Sequence, residues 1–151
     1  MNKKIRLRGS YRYVKKLDKW RIISGNEAMD SISLENLYNM ALNNNNIIVI
    51  VKEEKKKPVA VIEIIKNSTF SVELISVDYS FQRRGIATSM LILAEKIALK
   101  YGFREIQLEA VENKVGFYKD LGHKEYREMF CDYECGNLYP MKKKIKNFKY
   151  K

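Results

Sequence analysis

The chain has 151 residues, with 29 Lys and Arg against 18 Asp and Glu, for a net charge of +11. That length suits one domain with a packed core, and two Pro with seven Gly argue against a long linker or a low-complexity tail. No apolar run approaches the ~20 residues of a membrane span; the basic start has no apolar segment behind it, and two cysteines are too few for a disulfide framework, so the composition implies a reduced, cytoplasmic protein.

In chain order, Ile5, Leu7, Tyr11, Tyr13, Trp20 and Ile22 alternate loosely, which predicts two or three short strands within residues 1–24. Leu34, Leu37, Tyr38, Ala41 and Leu42 recur at helical spacing after Ser31 or Ser33 as cap, and four asparagines from Asn43 end that helix. Three β-branched or alternating runs follow at 47–51, 59–65 and 70–77, separated by a charged turn and by Lys66-Asn67-Ser68; they predict an antiparallel meander. Ile86, Met90, Leu93 and Ile97, with Ala87, Leu91, Ala94 and Ala98, then form a broad apolar stripe at helical period, closed by Gly102 as a left-handed cap. A strand at 106–110 completes a strand–helix–strand crossover, so it should run parallel to its partner. A short helix fits 114–121, stopped by Gly122, and two final strands fit 125–132 and 138–145. The fold class is α+β: a mixed, mostly antiparallel central sheet with helices on both faces.

The junction between the third meander strand and the long helix reads Phe81-Gln82-Arg83-Arg84-Gly85-Ile86-Ala87-Thr88. A helix N-terminus carries unpaired N–H groups and the positive end of the helix dipole, and so attracts anions. Gly85 admits close backbone approach, and Arg83 and Arg84 add charge. The stretch is a candidate pyrophosphate cradle, and it lacks the Gly-Lys-Ser/Thr ending of a P-loop.

The spacing Gln82-x-x-Gly85-x-Ala87 after Val77-Asp78 resembles the signature of the GNAT superfamily of acyl-CoA-dependent N-acetyltransferases, and so does the segment from Asn113 through Phe117-Tyr118 to Gly122. The resemblance covers about residues 20–145 of a single domain and leaves 1–19 unexplained. It implies acetyl-CoA as co-substrate, with no metal. Gln82, Arg83, Arg84, Gly85, Ile86, Ala87 and Thr88 would hold the pyrophosphate. The backbone of Ile75, Ser76 and Val77, exposed by a splay between two strands, would hold pantetheine, together with Asn113 or its neighbours and Phe117. Tyr118 would protonate the departing thiolate. His123 stands where the family usually has Phe, a packing position, which implies a modest local change.

Acyl transfer to an amine also needs a base, and carboxylates on strands near the cleft can serve directly or through water. Glu73 and Glu109 are the candidates, each of which could instead be a solvated strand residue. A backbone N–H among Ile75, Ser76 and Val77 would polarise the thioester carbonyl. His123, Cys131 and Cys135 make an incomplete metal set.

The expected function is therefore acetyl transfer from acetyl-CoA to a primary amine, on a small molecule or a protein, by direct attack in a ternary complex. The acceptor pocket would be built from residues 34–46 and 126–139, whose chemistry names no substrate. Homodimers are common in the family. The alternative follows from the charge: a basic module that docks nucleic acid or an acidic protein on the same fold, with little or no catalysis.

Overall fold

The computed structural model describes residues 11–13, 44–55, 57–133 and 136–146. The remaining predicted strands of residues 1–24, the helix after Ser31 or Ser33, and Cys135 lie outside the described residues.

Strands β1 (Tyr11–Tyr13), β2 (Ile47–Glu54), β3 (Lys57–Lys66) and β4 (Phe70–Val77) pair antiparallel in sequence order. Helix α1 (Ile86–Lys100) then crosses to β5 (Glu105–Val111), which pairs parallel with β4 as the crossover requires. Helix α2 (Val115–Asp120) leads to β6 (Lys124–Glu125), β7 (Phe130–Asp132) and β8 (Gly136–Lys144). Among the described residues the sheet has eight strands in the order β1-β2-β3-β4-β5-β8-β6, with β7 also on β8.

The core lies between this sheet and α1. Ile48 and Ile50 of β2, Ile62 and Ile64 of β3, Phe70 and Val72 of β4, and Ile106 and Leu108 of β5 point one way, against Met90, Leu91, Ala94, Ile97 and Ala98 of the helix. Fully burying each large aliphatic side chain contributes about 1.5–3 kcal/mol. Val49, Val51, Val59 and Val61 face the other way and are buried too. A sheet covered on both faces needs near-continuous apolar strands, which is why β2 and β3 read as runs and not as alternations.

The helix ends follow the residues. After α1, Gly102 donates to the Leu99 carbonyl and Phe103 to that of Ala98, the paired bonds of a left-handed helix stop. Among the described residues, no helix is long and apolar enough to cross a membrane.

One element differs from expectation. The single strand predicted over 125–132 is two short ones. Tyr126 donates to the Pro140 carbonyl at 3.2 Å, but Pro140 has no N–H to return. The ladder lapses there. It resumes at Phe130 opposite Leu138, so Arg127, Glu128 and Met129 stand opposite Tyr139 alone.

Candidate active site

The sheet opens at β4. Glu63 of β3 pairs with Leu74 and Ile64 pairs with Val72, so Glu73 is the extra residue of a β-bulge. A bulge bends its strand and increases the local twist. On its other side β4 pairs with β5 only at Ser71 with Gln107 and Val72 with Leu108. Beyond that point the strands part, and a cleft of about 830 Å³ lies between Glu73 to Val77 and Glu109 to Val111. The expected splay is thus present, and the bulge that bends β4 there was not legible from local pattern.

The edge that lines this cleft has defined polarity. The Asp78 N–H donates to Val59 on β3 at 2.7 Å. Backbone groups alternate along a strand, so Ile75 and Val77 turn theirs toward the cleft. The Val77 carbonyl is taken there by the Gln82 side chain, whose Nε2 donates to it at 3.1 Å. Gln82 thereby fastens the following loop to the end of β4.

That loop, with a single 3₁₀ turn at Tyr79–Phe81, delivers the N-terminus of α1 to the cleft. Arg83 has φ +62° and Gly85 has φ +78°, so the backbone is twice left-handed before the helix starts. The first helical bond runs from Ser89 to the Gly85 carbonyl. The amides of Ile86, Ala87 and Thr88 belong to the orphan donors of the first turn. A Cβ on Gly85 would meet nothing within 4 Å, so within the protein the conformation, not crowding, calls for glycine. Gly85→Ala should therefore cost about 1–2 kcal/mol of stability, read by urea denaturation; an unchanged midpoint would show that the loop adopts another path. The Arg84 guanidinium lies 4.9 Å from the centre of the Phe81 ring, stacked over it.

The opposite wall comes from α2. Phe117 and Tyr118 line the cleft, with Lys114 beside them. The helix stops as α1 does: Gly122, at φ +95°, donates to Lys119, and His123 donates to the Tyr118 carbonyl at 3.0 Å. This stop brings the residue after the glycine against the residue five positions earlier. Accordingly the His123 ring packs edge-on to Tyr118 at 5.7 Å, and Phe117 packs against Tyr118 at 5.1 Å. Burial raises the Tyr118 pKa above its ordinary value of 10, so the hydroxyl is a donor throughout the neutral range. His123 is 2% exposed, and among the described residues neither ring nitrogen has a hydrogen-bond partner. Its burial and the nearby Lys143 ammonium lower its pKa to about 4. Lys143 itself is held at 3.0 Å by the nearly buried Glu95 of α1.

Of the candidate bases, Glu73 and Glu109 both line the cleft. Partial burial, and then the charge of Glu109, raise the Glu73 pKa. Among the other expected site residues, Ile75, Ser76, Val77, Gln82, Arg83, Gly85, Ile86, Ala87, Thr88, Phe117 and Tyr118 line the same cleft; Arg84 and Asn113 do not. Arg84 is turned onto Phe81, and Lys114 occupies the wall expected of Asn113. Leu74, Gln107, Val111, Tyr126 and Leu138 also line it. Tyr126 and Leu138 belong to the segment 126–139 expected to build the acceptor pocket, whereas no spacing in the sequence marked Leu74, Gln107 or Val111, which reach the cleft through strand register. Among the described residues no group of His, Cys, Asp or Glu side chains is placed to hold a metal ion, and Cys131 is a free, exposed thiol.

Residues 18–145 match the family model described as an acetyltransferase (GNAT) domain. No curated protein sequence matches the chain. Solved structures share the fold. The PaiA N-acetyltransferase from Thermoplasma acidophilum, in complex with coenzyme A, is 23% identical with a TM-score of 0.60 over 74% of this chain and 69% of its own. An aminoglycoside 6'-N-acetyltransferase complexed with coenzyme A is 17% identical, with a TM-score of 0.61 over 73% and 79%. A putative streptothricin acetyltransferase from Bacillus anthracis, with acetyl coenzyme A, is 21% identical, with a TM-score of 0.63 over 72% and 68%.

Proposed function

The chain belongs to the GNAT family of acetyltransferases, and on that premise we propose that it transfers an acetyl group from acetyl-CoA to a primary amine by direct attack in a ternary complex. The observation that carries this reading is the cleft itself. It opens where β4 and β5 part, runs to the N-terminus of α1, and is walled by Tyr118. Neighbours of the same fold were solved with coenzyme A or acetyl-CoA, which supports the same co-substrate here.

The geometry of the cleft supports the following roles. The free amides of the first turn of α1, the helix dipole and Arg83 attract the pyrophosphate. Pantetheine lies along β4 and pairs with its edge at Ile75 and Val77, and one of those N–H groups polarises the thioester carbonyl. The amine nitrogen attacks the carbonyl carbon, the carbonyl oxygen takes the charge, and the tetrahedral intermediate collapses with cleavage of the C–S bond. The Tyr118 hydroxyl gives its proton to the departing thiolate. The proton lost by the amine goes to Glu73, directly or through water. A carboxylate raised toward neutrality is a stronger base than an ordinary one, and its neighbour Glu109 contributes to that rise.

Calorimetric titration of acetyl-CoA into the wild-type protein and into an Arg83→Glu, Gly85→Val variant tests the cradle. Micromolar binding that the variant loses is the expected result. Absence of binding at millimolar ligand would overturn the enzymatic reading and turn attention to the +11 charge, with salt-titrated nucleic-acid binding as the next measurement.

A further inference from the structure

The end of the sheet away from the N-terminus of α1 carries charge of one sign. There β2 begins, β3 ends, β4 and β5 begin and β8 ends, because Ile47 pairs with Ile65, Lys66 with Phe70, and Glu105 with Lys144, and β4 and β5 run parallel. Helix α1 ends there too: the Lys66 ammonium lies 4.7 Å from the centre of the Tyr101 ring, and the Phe103 ring packs against Phe70 at 5.4 Å. Lys66, Lys100, Arg104, Lys144 and Lys146 thus meet at one pole. Among the described residues, the segments 44–47, 65–70, 97–105 and 142–146 that build it hold a single carboxylate, Glu105, and Lys142 pairs with that one at 3.4 Å. At the other ends of the strands both signs mix, Glu53, Glu54, Asp78 and Glu112 with Lys57, Arg83 and Lys114. Lys100 complements the negative end of the α1 dipole. The strand-end lysines have no such dipole to answer, since a sheet carries little of one, and gathering them costs self-repulsion.

The strand ends from β2 to β8 stand in a row about 20 Å long, at about 4.8 Å per strand. A row of that length suits an extended polyanion better than a single phosphate. None of the exposed large apolar side chains among the described residues lies there, so the pole offers no wedge to a bilayer. It offers rings instead. Tyr101 and Phe103 are partly exposed, and beyond Lys146 the sequence goes on Asn147-Phe148-Lys149-Tyr150-Lys151. Basic groups interleaved with aromatic rings bind single strands, the charges tracking phosphates and the rings stacking on bases. We propose that this pole docks single-stranded nucleic acid, while the cleft at the other end of α1 keeps its own ligand. The proposal stands apart from the acetyl-transfer reading, since neither Lys66 nor Lys144 lines the cleft.

Fluorescence anisotropy of a labelled oligouridine is followed as salt rises from about 50 to about 300 mM. The proteins are the full chain, a Lys66→Glu, Lys144→Glu variant, and a Lys55→Glu, Lys57→Glu variant that changes the net charge equally at the other end of the sheet. The expected result is micromolar affinity at low salt, with log K falling by about 3 per decade of salt as roughly four or five phosphates are neutralised. The pole variant should lose roughly 10- to 100-fold in affinity and flatten that slope by about 1.5. The variant at the other end should change by less than about threefold, its charges lying beyond the screening length. Circular dichroism reports folding, so the outcome is readable whether or not acetyl-CoA binds. If the pole variant does not fold, Lys66→Gln, Lys144→Gln is measured in its place. No binding at the lowest salt, or equal losses in the two charge variants, would overturn the proposal. So would tighter binding of a duplex of the same length, of polyglutamate, or of vesicles rich in phosphatidylserine.

Discussion

Replacing Tyr118 with Phe should lower kcat roughly 100- to 10,000-fold, the usual contribution of a positioned proton donor, with little change in the KM for acetyl-CoA. The substitution removes one hydroxyl and keeps the ring. The contacts to Phe117 at 5.1 Å and His123 at 5.7 Å persist, so the melting temperature should move little. The pH dependence gives a second readout. The donor acts only when protonated, and burial raises its pKa above 10. Activity should therefore not fall on the basic side until pH exceeds the ordinary tyrosine value. The same shift weakens the fold in strong base: above pH 10 the unfolded tyrosine ionises while the folded one resists, so stability falls as pH rises. A Tyr118→Phe enzyme with wild-type kcat would assign the proton to another group.

His123→Phe should stabilise the protein, and the gain should grow as the solution is acidified. The folded-state pKa of about 4 lies below the ordinary 6.5. Between these values the unfolded chain binds a proton that the folded chain does not, so stability drops as pH falls from 6.5 toward 4 and this contribution levels off below. The gap amounts to about 3 kcal/mol at the acid end. Above pH 6.5 both states are neutral, and the variant gains only by removing two buried ring nitrogens without partners. The raised carboxylates Glu63 and Glu73 act in the opposite sense, protecting the fold as they protonate. They are common to both proteins and cancel in the difference. Urea denaturation of both proteins from pH 4 to 8 is the check. Parallel stability curves would mean that the histidine is hydrated or paired in solution. Because His123 clamps Tyr118 at the end of α2, retained kcat in His123→Phe would also show that any ring of that size positions the tyrosine.

The elements that position the cleft were legible because their causes are local. β-branched runs and the turns between them define the meander, and β4 spans 70–77 as read. Gly85 marks the start of α1, and Gly102 and Gly122 mark the two helix stops, since each takes up a positive φ that other residues resist. Small residues after Gly85, and Phe117-Tyr118 five and four positions before Gly122, reach the cleft because they lie within a few residues of those markers.

What escaped the sequence depends on partners distant in the chain. Pro140 ends the ladder of β6 only because register sets it opposite Tyr126. Arg84 looked like a phosphate ligand by position, yet the turn before it presents the Phe81 ring and the guanidinium stacks there. No local signal relates Glu63, Glu73 and Glu109: a single extra residue in β4 sets Glu73 beside Glu63, and β5 returns in parallel to bring Glu109 to the other side. By itself, then, the sequence determined where the chain turns, where its helices begin and stop, and which loop precedes the long helix at the cleft, since propensity and backbone φ act over a handful of residues. Tertiary structure alone decided which carboxylates share a face and which stay unpaired, because register across strands is settled by packing the whole sheet against α1, and a shift of one residue would send each of them to the opposite side.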